Sequence, residues 1–317
     1  MTDPVATLGF DQLVPPAMVN RRSVREVFVT DHARVGGDEF AIAIRVAPDH
    51  PLWSDQRAGG HDPAAVIEAF RQVFVVVRHE YLGVPRGTPT AVQQLTLAVP
   101  ELHAFRGDGT KPLRGVIKVR AEQADDKLDM EGEFVVGSVR AMTLSFGSIL
   151  LPRDSYHELR EYQRSRRAAA ASGGEPEAQP IAPELVGRHD QSNVVIGPAL
   201  RRHRYPLVVD RSHPSFFDRA YDHVPATLLI EAMRQSALRS AAEAGLRTGE
   251  AALTGAELDF GMYVETDVPA ACVVSLTGGP GVVTASVGIE QAGVRVASGI
   301  LELTEVNRDE TGKGTSS

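Results

Sequence analysis

The sequence predicts an α+β fold built twice in one chain, each time as a long central helix wrapped by an antiparallel sheet. Three observations predict it. Two segments of equal length, HPLWSDQRAGGHDPAAVIEAFRQ at His50–Gln72 and HPSFFDRAYDHVPATLLIEAMRQ at His213–Gln235, align without a gap and are identical at 8 of 23 positions. Such a repeat marks one structural unit used twice. Each copy ends in an apolar run of helical length, and each is followed by stretches that alternate apolar and polar residues between Gly and Asp clusters.

Taken in order, VREVFVT (Val24–Thr30) and EFAIAIRV (Glu39–Val46) alternate as half-buried strands do, with Asp31–Asp38 as the turn between them. Asp62 followed by Pro63 starts a helix, because the carboxylate caps free amides and the proline lacks only a hydrogen that would go unused there. That helix should reach about Tyr81, where Gly83 and Pro85 end it. Strands are expected in VQQLTLAVP, GVIKVRAEQ and GEFVVGSVRAMTLSFGSIL, then a short helix at Asp154–Arg167. RRAAAASGGEPEAQP reads as a linker. PELVGRHDQSNVVIG and RYPLVVD open the second half, whose helix should end near Gly245 before strands at Ala252–Phe260, Ala270–Leu276, Val282–Gln291 and Val294–Leu303. The expected division is a first unit at 1–162, a linker at 163–180, a second unit at 181–306 and a disordered tail at 307–317. Strand, long helix, then strands is the hotdog order, and two in tandem make a double hotdog, a fused pseudo-dimer.

Composition bounds the function. The 317 residues, 43% of them hydrophobic, suffice for two ordinary domains with a core. A single cysteine, Cys272, excludes an intramolecular disulfide framework and a multi-thiolate metal site, and in AACVVSL it reads as a small buried strand residue. The net charge of −8 argues against nucleic acid as a partner. The N-terminus has no signal-peptide pattern and no apolar run has the length of a membrane span, so a cytoplasmic protein is expected. No histidine or carboxylate cluster has metal-ligand spacing and no glycine-rich nucleotide loop is present, so the chemistry is expected to need no metal and no cofactor.

The candidate chemistry lies on the repeated helix. Positions i, i+3 and i+4 share a helical face, so Glu68, Arg71 and Gln72 project together, as do Glu231, Arg234 and Gln235. A carboxylate on a helix apolar nearly all round is seldom buried without a partner. The bland reading is an intrahelical Glu–Arg ion pair; recurrence in both copies favours a site. Glu231 is placed to act as a base, and Arg234 would favour its ionised form or hold a phosphate; the sequence leaves both roles open. Free amides at the second helix start, near Ala226 and Thr227, can stabilise an oxyanion. His223 beside Asp222 and His61 beside Asp62 are candidate acid–base groups. His50 and His213, in matching His-Pro pairs, more simply fix turns.

At these residues the chain resembles the A-factor biosynthesis (AfsA-type) family. DHVPATLLIEAMRQSAL is similar to its signature, and HDPAAVIEAFRQ, HEYLGVP, VREVFVTD, HPSFFD and FGMYVETD also fit. The similarity spans most of the chain outside the termini and linker. It implies a double-hotdog acyltransferase that joins a β-ketoacyl chain, carried on acyl carrier protein or coenzyme A, to the hydroxyl of dihydroxyacetone phosphate. This is the first step toward a γ-butyrolactone-type signalling molecule, with cyclisation to a phosphorylated butenolide following. For that activity the residues themselves suggest catalytic roles for Glu231, Arg234, Glu68 and His223, and substrate contacts from Arg71, Gln235, Gln72, His61, Asp222 and Ala226. The pseudo-dimer would act alone or as a homodimer. A more distant similarity to β-hydroxyacyl thioester dehydratases stops at Phe217, which stands where their catalytic histidine would fall. Thioester hydrolysis or dehydration, and passive binding of an acyl lactone, are the competing expectations. The helix-opening proline is five residues before Glu68 but six before Glu231, and of the two sites the second is expected to be the working one.

Overall fold

A computed structural model describes residues 4–107, 109–170, 178–279 and 281–306. In chain order these contain strands β1 (Val29–Gly36) and β2 (Glu39–Val46), helix α1 (Ala64–Val76) and its π-helical extension (Val77–Tyr81). Strands β3 (Thr90–Ala98), β4 (Leu113–Ala124), β5 (Lys127–Val136) and β6 (Val139–Leu150) follow, then helix α2 (Arg153–Ala170). The second half supplies β7 (Arg204–Pro206), α3 (Ala226–Glu243), β8 (Ala251–Phe260), β9 (Ala270–Gly279), β10 (Val282–Gln291) and β11 (Val294–Glu305).

The strands form one antiparallel sheet in the order β1-β2-β4-β5-β6-β3-β8-β11-β10-β9-β7. Each half contributes its own run, and β3 joins them by pairing with β8 from Gln94↔Asp259 to Ala98↔Gly255. Alternation along the strands, as in β4 where Leu113, Ile117, Val119 and Ala121 point inward, gives the sheet one apolar face. Both long helices lie against that face, and one continuous apolar core runs from Phe70 and Phe134 to Tyr205 and Leu238. This is the tandem double hotdog expected from the repeat.

Local chemistry explains the element boundaries. Asp62 Oδ1 accepts from the Ala64 amide at 2.9 Å, the cap expected of the Asp-Pro start. Every residue of α1 except Arg71 is buried. Gly132 lets the helix approach the sheet: a Cβ there would stand 2.8 Å from the Phe70 ring and 2.8 Å from the Lys118 carbonyl.

Three expectations shift. Residues 24–26 turn as a 3-10 helix because the Ser23 hydroxyl accepts from the Arg25 amide at 3.2 Å, which delays β1 to Val29. The opening of the second half is mostly irregular, with β7 its one short strand among the described residues. Helix α2 continues beyond Arg167 to Ala170, into the stretch expected as linker, because Arg and Ala are strong helix formers. Linker residues 171–177 and the tail at 307–317 lie outside the described residues. No described helix is long and apolar enough to cross a membrane.

Candidate active site

Glu68 of α1 is completely buried, and every direction around its carboxylate is filled. Oε1 accepts from Arg21 Nε at 3.1 Å, Arg71 Nη2 at 2.8 Å and Gln72 Nε2 at 2.7 Å. Oε2 meets Arg21 Nη2 and Arg71 Nε, each at 2.8 Å. Burial alone would favour the protonated acid, but the charges of Arg21 and Arg71 outweigh it and hold the pKa at about 2. Gln72 anchors the helix to the preceding segment, since its Oε1 accepts from the Phe28 amide and its Nε2 donates to the Glu26 carbonyl.

Glu231 of α3 repeats the pattern. Its Oε1 accepts from Arg188 Nε at 3.0 Å and Gln235 Nε2 at 2.6 Å, and its Oε2 accepts from Arg234 Nε at 3.0 Å. Gln235 mirrors Gln72, accepting from the Val195 amide and donating to the Asn193 carbonyl. Here too burial opposes ionisation while Arg188 and Arg234 hold the carboxyl below the usual carboxylate range. Carboxylates held so firmly in the ionised form accept a further proton poorly. Each glutamate thus holds two arginines, Arg21 and Arg71 on Glu68 and Arg188 and Arg234 on Glu231.

The two clusters differ in what completes them. Arg234 turns its remaining edge to Asp62, with Nη1 at 2.9 and 3.1 Å from the carboxylate oxygens, and Arg188 Nη1 is 3.9 Å from the same group. Two arginines and two carboxylates thus close on one another, all nearly inaccessible. That side also holds His61, whose amide donates to the Phe105 carbonyl and whose ring lies beside Gly107. Arg71 has no such carboxylate: its Nη2 donates to the Val19 carbonyl at 3.4 Å, and its side chain is 22% exposed.

Facing the first cluster is the loop that leads into α3. Arg21 Nη1 donates to the Ser215 carbonyl at 3.0 Å, Asp218 accepts from the Arg22 and Ser23 amides, and Arg219 Nη1 donates to Asn20 Oδ1. Further along, His223 Nδ1 lies 2.7 Å from Asp222 Oδ1, while Asp222 accepts from Tyr156 and from Arg160 Nε at 3.1 Å. Burial would raise the Asp222 pKa, yet His223, Tyr156 and Arg160 hold it well below the usual range. The second ring nitrogen of His223 has no described partner, and the ring packs 4.6 Å from that of Tyr263, whose buried hydroxyl also has none. Burial pushes the Tyr263 hydroxyl up to about 12. Ala226 and Thr227 are half-buried at the start of α3; Pro225 provides no side-chain cap, whereas the start of α1 is capped by Asp62 and buried.

The sequence reading groups Glu68 with Arg71 and Gln72, and Glu231 with Arg234 and Gln235, as the structure does. His50 and His213 each fix a turn, with Nδ1 3.2 Å from two successive amides, those of Leu52 and Trp53 and of Ser215 and Phe216. Arg21 and Arg188, which complete the two clusters, lie outside the repeat. They follow residues in left-handed backbone, Asn20 and Gly187, and precede capping residues Ser23 and Asp190. Arg21 lies 29 residues before His50 but Arg188 only 25 before His213, so a gapless comparison stops short of them.

The A-factor biosynthesis hotdog domain matches residues 2–130 and 169–306. A 2-oxo-3-(phosphooxy)propyl 3-oxoalkanoate synthase of Streptomyces griseus subsp. griseus is 30% identical over 258 residues, covering 79% of this chain and 81% of the relative. A Streptomyces coelicolor protein of the same name is 30% identical over 278 residues, covering 84% and 83%. Among solved structures, the 12:0-ACP thioesterase from Umbellularia californica superposes with a TM-score of 0.51 at 11% identity, covering 86% of this chain and 100% of that one. A Lactobacillus plantarum protein described as an oleoyl thioesterase gives 0.52 at 12% identity, covering 85% and 97%. At these identities the structural likeness speaks for the fold alone.

Proposed function

The chain belongs to the A-factor biosynthesis hotdog family, and on that premise we propose that it catalyses the reaction after which its relatives are named. A 3-oxoacyl group passes from a thioester of acyl carrier protein or coenzyme A to the hydroxyl of dihydroxyacetone phosphate, giving a 2-oxo-3-(phosphooxy)propyl 3-oxoalkanoate and a free thiol. Attack of the activated methylene of that ester on its own ketone, with loss of water, then closes the ring of a phosphorylated butenolide.

The observation that carries the placement is the unequal completion of two matching clusters. On the Glu231 side Asp62 engages Arg234, whereas on the Glu68 side Arg71 meets no second carboxylate and is part exposed, and the start of α3 carries no side-chain cap. We therefore assign the reaction to the start of α3, with Arg71 of α1 opposite. His223 takes the hydroxyl proton through its unengaged nitrogen while Asp222 orients the ring. The Ala226 and Thr227 amides, at the positive end of the helix dipole, meet the charge that develops on the thioester oxygen. When the tetrahedral adduct collapses, the C–S bond breaks and the leaving sulfur takes the proton from His223. Glu68 acts through Arg21 and Arg71, keeping both guanidinium groups in place.

The test is to incubate the purified protein with a 3-oxoacyl thioester, with and without dihydroxyacetone phosphate, and to follow thiol and ester by mass spectrometry. Thiol release that requires the phosphate, matched by ester, supports the assignment. Release indifferent to it points to hydrolysis and overturns the assignment, as does binding without turnover.

A further inference from the structure

We infer that Arg78 and Arg219, together with Arg71, form the pocket that holds the phosphate of the acyl acceptor, an assignment that rests on the function proposed above. Arg71 and Arg78 are seven residues apart, two turns along one face of α1 and its π-helical extension. Arg219 comes from the opposite half, on the loop before α3, and Arg71 and Arg219 converge on the same short segment, bonding Val19 and Asn20 respectively.

What points to a ligand is uncompensated charge. Arg78 is only 6% exposed, yet its bonds go to neutral groups, His79 Nε2 at 3.1 Å and the Thr90 hydroxyl. Arg219 spends one nitrogen on the Asn20 amide oxygen, stacks on Tyr221 at 4.8 Å and leaves its buried Nε without a partner. Neither forms an ion pair with a described carboxylate. Nearby acids are already engaged, Glu80 by Arg86 at 2.5 Å and Asp218 by two backbone amides. Burial, followed by the charges of Arg71 and Arg219, pushes the Arg78 pKa down to about 10.

On this side Arg21 and Arg71 share the one carboxylate of Glu68, while Arg78 and Arg219 pair with no described carboxylate. A cation drawn away from water without a counter-charge is costly unless an anion neutralises it. A phosphate monoester carries about two negative charges at neutral pH and suits the planar fork of arginine. In the matching cluster Arg188 and Arg234 are balanced by Glu231 and Asp62.

The experiment compares dihydroxyacetone phosphate with dihydroxyacetone as acceptors for wild type, Arg78→Gln and Arg219→Gln, and measures inorganic phosphate binding by titration calorimetry. In each variant the ratio of kcat/KM for the phosphorylated over the plain acceptor should fall about 10- to 100-fold, as expected for loss of one charge-assisted bond. Inorganic phosphite should accelerate acylation of plain dihydroxyacetone in wild type and fail to do so in either variant. An unchanged ratio in the folded Arg219→Gln protein overturns the inference, even if Arg78→Gln is too unstable to assay. Phosphate binding that needs both arginines in a protein without acyl transfer would keep the pocket and sink the proposed reaction instead. Acyl transfer with no such dependence would do the reverse.

Discussion

Arg234 in α3 reaches across the two halves of the protein to Asp62 at the start of α1, placing Nη1 2.9 and 3.1 Å from the two carboxylate oxygens. Its counterpart Arg71 is 22% exposed and meets no carboxylate beyond its own Glu68. One arginine ties the two halves together, and the proposed function gives the other to substrate. The pair of substitutions that separates these roles is Arg234→Gln and Arg71→Gln. The first strands Asp62 inside the protein and should lower stability to urea by about 3–5 kcal/mol. The second leaves Glu68 paired with Arg21, so it should cost less stability than the first, while it reduces kcat/KM for the phosphorylated acceptor about 10- to 100-fold. Equal losses of stability in both would contradict the division.

Glu68 makes stability depend on acid. Its folded pKa of about 2 lies below the ordinary 4.5, so the unfolded chain binds a proton first as pH falls. The stabilisation is therefore fully present above about pH 4.5 and lost as pH falls toward 2, and it amounts to on the order of 3 kcal/mol. Unfolding free energies measured across that interval should decline for wild type, and the decline should be shallower in Glu68→Gln by this amount. A wild-type slope that Glu68→Gln leaves untouched would exclude Glu68 as its source.

Much of this architecture was legible in the chain. The gapless repeat exposed both helices, and the i, i+3, i+4 spacing exposed Glu68 with Arg71 and Gln72. The Asp62–Pro63 pair exposed the cap on α1. What the sequence did not reveal lies in relations between distant segments. Arg21 and Arg188 complete the clusters from loops whose spacing to the repeat differs by four residues, so they fall outside any fixed register. Asp62 was readable as a cap but not as the partner of a side chain 172 residues away. For the same reason the proline spacing, which favours the second triad as the working one, gives no sign that Asp62 engages Arg234 there while Arg71 meets no second carboxylate. Cys272 shows the opposite case: a lone cysteine in an apolar strand reads as buried, and burial does push its thiol up to about 12.

Gly132 tests the packing that seats α1. It is the residue of β5 over which the Phe70 ring lies, and a Cβ would also fall 2.7 Å from Val119 Cγ1. The Lys118 carbonyl is backbone in a paired strand and cannot yield as a side chain tip would. Gly132→Ala should destabilise the protein by about 1–3 kcal/mol through overpacking. Thermal unfolding would measure it, and a neutral or stabilised variant would show that the helix has room to retreat.

The dyad at the start of α3 gives the sharpest functional test, because its members are accessible enough to change without disturbing the core. His223 is 23% exposed at its side chain, and its proposed role is direct proton transfer. His223→Gln should lower kcat for acyl transfer about 100- to 10,000-fold while leaving the thioester KM near wild type. Arg160 stands one step behind: it chelates Glu265 through two 2.8 Å bonds, and its Nε and Nη2 reach the side chain and carbonyl of Asp222. It is a positioning residue, so Arg160→Gln should reduce kcat by less than the loss of His223. Arg160→Lys, which keeps the charge but not the fork, should restore only part of it. Full turnover in His223→Gln would remove the imidazole from the reaction. An effect of Arg160→Gln confined to unfolding temperature, with kcat unchanged, would reduce the arginine to a strut between α2 and the second half.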